Sequence, residues 1–197
     1  MMLAIVTGAS MGIGLETAKG LAEKGFDLIL VSRNVGKLND IRDSIESRYQ
    51  INCDVFSFDL SLIRSNIDFH RLVVNKYQKI DVLVNNVGAI FMKKTITDEG
   101  LEKTFALNHM SYFVLSNLFA ESFESLKIIN VSSEAHRGIT LRINDFQNIQ
   151  GYNGWHAYKR SKLANIYLTY ELNRKYIDKG ICINCLHPGL VSTDFAN

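Results

Sequence analysis

Two side chains in the last quarter of the chain have the types and the spacing of an acid–base pair. Tyr158 and Lys162 are four residues apart in the stretch HAYKRSKLAN. Residues i and i+4 share one face of a helix, so the phenol and the ammonium can point into one cleft. A free phenol titrates near ~10 and a neighbouring cation favours phenolate, so we expect Lys162 to lower the pKa of Tyr158. A Y-x-x-x-K spacing alone is weak evidence for a catalytic pair, so the other motifs of the chain are needed to interpret it.

A glycine-rich turn near the start of the chain has the form of a phosphate-binding loop. The stretch TGASMGIG follows a short apolar run, precedes a segment with helical periodicity, and holds Gly8, Gly12 and Gly14. Gly8 permits a tight turn, Gly12 lets the backbone approach a pyrophosphate, and Gly14 lets the helix pack on the strand. The N-terminus of that helix adds unpaired N–H groups and a positive dipole. This context predicts a dinucleotide site.

Apolar runs and helical periods alternate along the chain. Near-continuous apolar strands are buried on both faces, and strand–helix alternation implies parallel crossovers. The sequence therefore predicts an α/β fold: a doubly wound parallel sheet (Rossmann fold) of about six strands with helices on both faces. We expect one domain over residues 1–197, a long helix over about 98–123, and a polar loop up to about Gly154. Ligands in such a sheet bind beyond the carboxyl ends of the strands.

Composition argues against several classes of function. The net charge is +2 and no basic stripe is present, so we expect no nucleic-acid partner. No apolar run reaches the roughly 18 residues of a membrane span and no signal-peptide pattern occurs, so we expect no membrane segment and a cytoplasmic protein. Cys182 and Cys185 form a C-x-x-C within a strand-like run, but no further ligands complete four. The histidines lie in different elements, and we expect no metal site.

Taken together, these motifs resemble the short-chain dehydrogenase/reductase family along essentially the whole chain. The G-x-x-x-G-x-G spacing has that family's form, and NVSSEAH, YKRSKLANIYLTYEL and HPGLVSTDF resemble its retinol-dehydrogenase-like branch. The resemblance implies hydride transfer between a nicotinamide and a carbonyl or alcohol, with Tyr158 as acid/base and Lys162 holding the ribose. It also implies that Ser133 binds the substrate oxygen and that Asn108 helps to hold a proton relay behind the lysine.

The resemblance also implies a set of cofactor contacts. The glycine turn meets the pyrophosphate, Asp59 meets the adenine amino group, the stretch 85–88 lies on the adenosine side, and the loop 188–193 contacts the nicotinamide carboxamide. The cofactor-binding residues expected on this basis are Gly8, Ser10, Met11, Gly12, Ile13, Gly14, Arg33, Asn34, Asp59, Leu60, Asn86, Val87, Gly88, Tyr158, Lys162, Pro188, Gly189, Val191 and Thr193.

The residues after the second strand favour NADP over NAD. An NAD site usually places an acidic residue there to accept the ribose 2′-OH, whereas this chain has Ser32 followed by Arg33. A guanidinium can fork onto a 2′-phosphate and stack on adenine. Met11 argues the other way, because many relatives that use NADP carry a second basic residue at that position.

Substrate, assembly and rival functions follow from the same resemblance. The branch favours lipophilic or bulky carbonyls and alcohols, and the family is usually a homodimer or homotetramer. Family members continue past Thr193 into a substrate lid and a further strand, so we expect this chain to be short at its C-terminus relative to the family. An alternative is therefore an NADP-binding sensor or interaction module with little or no turnover. A sugar-nucleotide epimerase would share the Tyr–Lys pair, but its glycine motif has a different spacing and its chain is longer.

Overall fold

A six-stranded parallel sheet organises the computed structural model, which describes residues 2–189. The strand order is β3-β2-β1-β4-β5-β6, so the order reverses between β1 and β4 and creates a crevice at that point. The strands are β1 (Met2–Thr7), β2 (Phe26–Ser32), β3 (Cys53–Ser57), β4 (Val82–Asn85), β5 (Lys127–Val131) and β6 (Cys182–Leu186). The α-helices are α1 (Gly12–Glu23), α2 (Val35–Tyr49), α3 (Ile63–Lys76), α4 (Lys103–Phe105), α5 (Ser111–Ser122) and α6 (Gly154–Tyr176).

The central strands bury both faces. On β1, Ile5 belongs to one apolar cluster, which includes Phe69 of α3 and Phe119 of α5. Its neighbour Val6 belongs to a second cluster on the other face, which includes Leu38 of α2. Successive strand residues point to opposite faces, so an uninterrupted apolar run feeds both clusters. The predicted doubly wound α/β sheet with helices on both faces is confirmed.

One predicted helix begins later than expected. The expected start at Asp98 is wrong, because residues before Lys103 form a turn that an antiparallel bridge between Ile96 and Glu102 closes. Gly100 adopts φ +80°, which an α-helix does not accommodate. The Glu102 carboxylate then accepts the N–H groups of Thr104 and Phe105, each at 2.8 Å, and so begins the helix.

The same helix contains a π-helical turn. Between α4 and α5 the residues Ala106–Met110 form this turn without breaking the helix. Such turns are rare and occur often at functional sites. This one carries Asn108 and His109, both of which are buried.

Candidate active site

Two glycines of the turn after β1, Gly8 and Gly14, leave no room for a side chain. Gly8 and Gly12 adopt φ +69° and +55°, the left-handed region that favours glycine. A Cβ on Gly8 would lie 2.9 Å from Val87 Cα, and a Cβ on Gly14 would collide with the carbonyl oxygen of Gly8. The turn therefore lies directly against the stretch that follows β4.

The start of α1 is suited to an anion. Met11 is the N-cap residue, is 45% exposed, and makes no side-chain capping bond with the described residues. The first N–H groups of α1 thus keep their donor capacity, which a phosphate satisfies well. Ser10 and Ile13 lie half-buried beside them. Together with the crowded glycines, this geometry fits a dinucleotide pyrophosphate.

Thr7 joins the glycine turn to the stretch after β4. Its hydroxyl accepts the N–H groups of Asn86 and Val87, at 3.0 and 3.1 Å, and donates to the carbonyl of Val84 at 3.3 Å. In return, Asn86 Nδ2 donates to the Thr7 carbonyl at 2.9 Å. Sequence reasoning missed this role of Thr7. A hydroxyl residue at the end of the first buried strand, directly before Gly8, was the available signal.

The first residue after β2 is an exposed cation. Arg33 is exposed, and its guanidinium makes no hydrogen bond or ion pair with residues 2–189. Its backbone is held in place, because the Ser57 hydroxyl donates to the Arg33 carbonyl at 2.9 Å. Asn34 caps α2 by accepting the N–H of Lys37 at 3.0 Å. The geometry leaves Arg33 available to an anionic group, while the Asn34 side chain positions a helix.

Beyond β3, a carboxylate is held in a defined orientation. Asp59 Oδ1 accepts the Ser61 N–H at 3.0 Å and the Ser61 hydroxyl at 2.7 Å, and Leu60 is buried beside it. The α3 helix that follows is capped from a distance: Glu99, in the loop after β4, accepts its first two N–H groups at 2.5 and 3.0 Å. Glu99 therefore fastens that loop next to Asp59, a contact that the sequence did not reveal.

Ser133 and Tyr158 meet beyond the end of β5. The Ser133 hydroxyl hydrogen-bonds to the phenol of Tyr158 and also accepts the N–H of Ala135 at 3.2 Å. Tyr158 is only 7% exposed, and this burial raises the pKa of the phenol, while the bond from Ser133 lowers it. The net direction is upward. Our expectation of a lowered Tyr158 pKa is therefore wrong for this arrangement of side chains.

Lys162, one helical turn after Tyr158 on α6, is itself deeply buried. Its Nζ donates to the carbonyl of Val131 at 2.9 Å and lies 5.8 Å from the Tyr158 ring centroid. Lys162 is 3% exposed, and burial lowers its pKa to about 8. Burial is the largest influence on the pKa of Tyr158, and the hydrogen bond from Ser133 offsets it only in part.

Asn108 lies next to the lysine and clamps the loop after β4. Its side chain accepts the N–H of Ala89 and donates to the Ala89 carbonyl, both at 2.9 Å, and donates to Ser161 Oγ at 3.2 Å. A Cβ on Gly88 would lie 3.3 Å from Asn108 Oδ1 and 3.5 Å from Lys162 Nζ. The structure thus brings the predicted Asn108, Gly88 and Lys162 together. It also gives Asn108 a positioning task that the sequence did not show.

His109 has a structural environment. Its Nδ1 lies 2.8 Å from Asn165 Oδ1, and Asn165 Nδ2 donates to the Asn108 carbonyl at 2.7 Å. Because the amide nitrogen is used as a donor, its oxygen accepts, and His109 Nδ1 carries the proton. Burial lowers the pKa of His109 and favours the neutral ring. This histidine therefore supports the π-helical turn that presents Asn108.

The loop after β6 contacts the residue that follows Ser133. Gly189 adopts φ +82°, and its N–H donates to His187 Nδ1 at 3.3 Å. His187 Nε2 lies 3.2 Å from Glu134, the residue after Ser133. The loop that holds Pro188 and Gly189 is therefore linked to the residue after Ser133, and its contact with the nicotinamide carboxamide stays a prediction. The predicted contacts Val191 and Thr193 lie outside the described residues.

The polar loop before α6 is anchored by two side chains that sequence reasoning did not single out, one buried and one half-buried. Arg160 lies inside the YKRSK motif, and its guanidinium donates to Asn148 Oδ1 at 2.5 Å and to the Thr140 carbonyl at 3.1 Å. The Tyr152 hydroxyl donates to the carbonyl of Phe91 at 2.6 Å. These contacts join the loop to the active-site helix and to the segment after β4.

Residues 2–189 contain neither a membrane-spanning helix nor a cluster of metal ligands. No helix there combines the length and the apolar content needed to cross a membrane. No group of three or more His, Cys, Asp or Glu side chains in the same range is arranged to hold a metal ion. Of the C-x-x-C pair, Cys182 is exposed and Cys185 is half-buried beside Thr169 and Ser132.

Comparison with known proteins identifies relatives of this chain. The family model described as short chain dehydrogenase matches residues 2–197. The chain is 35% identical to short-chain dehydrogenase TIC 32 A, chloroplastic, of Brassica napus, a match that covers 98% of this chain and 65% of that protein. It is 33% identical to human retinol dehydrogenase 13, covering 96% of this chain and 59% of that protein. The chain thus spans less than two thirds of the length of these relatives.

Solved structures share the fold. A short-chain dehydrogenase from Sphingobium yanoikuyae in complex with NADPH superposes with a TM-score of 0.81 at 23% identity, covering 99% of this chain and 73% of that one. A metagenomic short-chain oxidoreductase in complex with NADP gives 0.80 at 26% identity, covering 96% and 83%. The comparisons name dehydrogenases and reductases, and they do not favour the binding-only alternative that the sequence left open.

Proposed function

Because the chain belongs to the retinol-dehydrogenase-like branch of the short-chain dehydrogenase family, we propose that it is an NADP-dependent oxidoreductase that interconverts a carbonyl and an alcohol. One observation carries the proposal: the Ser133 hydroxyl contacts the Tyr158 phenol, and Lys162 lies one helical turn further along α6. Two hydroxyl donors meet at one point beyond the end of β5. A carbonyl oxygen placed there would accept a hydrogen bond from each hydroxyl.

The cofactor side supports NADP. The crowded glycine turn and the uncapped start of α1 suit a pyrophosphate, and the free guanidinium of Arg33 suits a 2′-phosphate. The solved relatives from Sphingobium yanoikuyae and from the metagenome contain NADPH and NADP. Asp59 would hold the adenine end, and Lys162 the nicotinamide ribose. Bound NADPH supplies the hydride for the carbonyl carbon.

The chain's own groups handle the oxygen and the proton. Ser133 donates a hydrogen bond to the carbonyl oxygen and orients it. Tyr158, neutral because burial raises its pKa, donates a proton to that oxygen as negative charge develops on it. Preorganised donors aimed at a developing alkoxide lower the barrier because they need no reorganisation during the reaction. Oxidation of the alcohol follows the same path in reverse.

The proposal also extends to the substrate class, the assembly and the cellular location. We assign a lipophilic or bulky carbonyl or alcohol as substrate, because relatives of this chain are named retinol dehydrogenases. A homodimer or homotetramer is the assembly that the family resemblance implies. The cytoplasmic location stays a prediction from the sequence, and a relative named chloroplastic shows that the branch is not confined to one compartment.

The test combines cofactor binding with turnover. NADPH and NADH are titrated by fluorescence, and NADPH consumption is then followed with a panel of aldehydes and ketones. We expect tighter binding of NADPH, and turnover that Tyr158→Phe abolishes while NADPH binding is kept. Tyr167→Phe is the matched control, because Tyr167 lies on the same helix and is 55% exposed. Failure to bind either cofactor, or turnover that survives Tyr158→Phe, contradicts the proposal.

A further inference from the structure

An exposed aromatic ring lies against the reactive tyrosine. Trp155, in the first turn of α6, stacks on Tyr158 with ring centroids 5.6 Å apart and an angle of 24° between the planes. The two rings differ in exposure: Trp155 is 46% exposed and Tyr158 only 7%. Trp155 thus covers one side of the tyrosine ring and keeps a large part of its own surface open.

The backbone under Trp155 is tightly held. Asn153 caps α6 by accepting the N–H of His156 at 2.9 Å. Gly154 lies so close to the segment after β4 that a Cβ on it would collide with the Phe91 carbonyl and lie 2.8 Å from Met92 Cα. The indole therefore projects from a helix start that cannot shift without moving that segment.

A second exposed apolar side chain comes from the segment that packs against the start of α6. Met92, whose backbone touches Gly154, has a side chain that is 70% exposed. An indole stacks on flat π systems, and a thioether makes favourable contacts with aromatic rings. Trp155 lies against the phenol that contacts Ser133, so a molecule whose oxygen is held there would extend its substituent over the indole.

We propose that Trp155 is a specificity-determining residue, and that it selects carbonyl substrates whose C=O is conjugated with a flat ring or double bond. The inference rests on the proposed oxidoreductase function and narrows its substrate class. A planar substituent stacks on the indole as the Tyr158 ring already does, whereas a saturated ring of the same size is too thick to do so. Leu and Ala at this position would lose that discrimination, and Phe would keep part of it.

A matched pair of substrates tests the selection. kcat/KM is measured for a phenyl ketone and for the cyclohexyl ketone with the same second substituent, and their ratio is compared between variants so that intrinsic reactivity cancels. Since an aromatic pair contributes a preference of roughly three- to tenfold, we expect Trp155→Leu to lower the phenyl-to-cyclohexyl ratio by that factor. Trp155→Phe should retain most of it. Tyr170→Leu, which removes a 71% exposed ring further along α6, is the control and should not change it.

Fluorescence gives a second measurement that needs no turnover and no substitution of the indole. The chain contains one tryptophan, so all indole emission comes from Trp155. In Tyr158→Phe protein loaded with NADPH, the phenyl ketone should change this emission saturably and the cyclohexyl ketone much less.

The outcomes of the two measurements separate the claims. Turnover by the unaltered protein with a ratio that Trp155→Leu leaves unchanged overturns the role of Trp155 and leaves the oxidoreductase function standing. Emission that responds equally to both ketones does the same. No turnover of any carbonyl overturns the proposed function, and the emission titration then still decides whether the indole face binds planar ketones.

Discussion

Lys162 donates from its buried Nζ to the main-chain carbonyl of Val131, 2.9 Å away, at the last residue of β5. Ser133 follows two residues later, so one strand end presents both a partner for the lysine and the hydroxyl that contacts Tyr158. Burying an amine costs free energy, which appears as a Lys162 pKa lowered from 10.5 to about 8. The fold therefore carries a group that destabilises it near neutral pH and that the proposed reaction uses.

Replacing Lys162 should stabilise the fold at neutral pH and abolish turnover. Between pH 8 and 10.5 the unfolded lysine binds a proton that the folded one has released, so the free energy of unfolding should rise with pH across that window. Lys162→Met should remove this rise and increase the free energy of unfolding at pH 7 by about 3 kcal/mol. Thermal unfolding against pH measures it, with the exposed Lys24→Met as control. A lower Tm for Lys162→Met at pH 7 would mean that the bond to Val131 outweighs the burial cost.

The sequence predicted those parts of the site that depend on local pattern. The roles of Gly8 and Gly14 follow from a turn between a buried strand and a helix, and the crowded contacts of both glycines agree with them. The parallel sheet followed from apolar runs that alternate with helical periods. Tyr158 and Lys162 share a helix face because four residues make about one turn.

The sequence could not predict what depends on distant contacts. Glu99 caps a helix whose start lies 36 residues earlier, and Tyr152 bonds a carbonyl 61 residues away. No local pattern records such pairs. The expected lowering of the Tyr158 pKa was wrong for a related reason. The spacing places Lys162 nearby, but the direction of the pKa shift depends on how deeply the fold buries both groups.

Two glycines of α1 should respond in opposite ways to the same substitution. Gly14→Ala places a methyl against the Gly8 carbonyl, so we expect a loss of about 1–3 kcal/mol in the free energy of unfolding and weaker NADPH binding. A Cβ on Gly20 meets no atom within 4 Å, so Gly20→Ala should stabilise the helix by roughly 0.5–1 kcal/mol and leave binding unchanged. Chemical denaturation and NADPH titration measure both effects. Equal behaviour of the two variants would refute the close packing of the turn.

The choice between NADP and NAD should depend on Ser32 and Arg33. Removing a charge-assisted contact to a 2′-phosphate costs roughly 10- to 100-fold in affinity, so Arg33→Ala should weaken NADPH binding by that factor and leave NADH binding within a few-fold. Adding Ser32→Asp should improve NADH binding, because the carboxylate can accept the ribose 2′-OH. Arg71→Ala, on the exposed side of α3, is the control. NADPH binding that Arg33→Ala leaves intact rules out this assignment.

Replacing Asn108 tests whether this residue positions the Ala89 segment or acts in a proton relay. Its side chain is fully buried and makes three hydrogen bonds, two of them to Ala89, so Asn108→Ala should lower the free energy of unfolding by about 2–3 kcal/mol. Because the Ala89 segment leads from Gly88 toward the active site, NADPH affinity should fall as well. Asn117→Ala on α5 is the matched control, because it also removes three side-chain hydrogen bonds, with Phe113, Lys175 and Tyr176. It should lower the free energy of unfolding and leave NADPH affinity unchanged. If Asn108→Ala keeps its Tm and its NADPH affinity and loses only kcat, the clamp on Ala89 is incidental and the relay role is the better account.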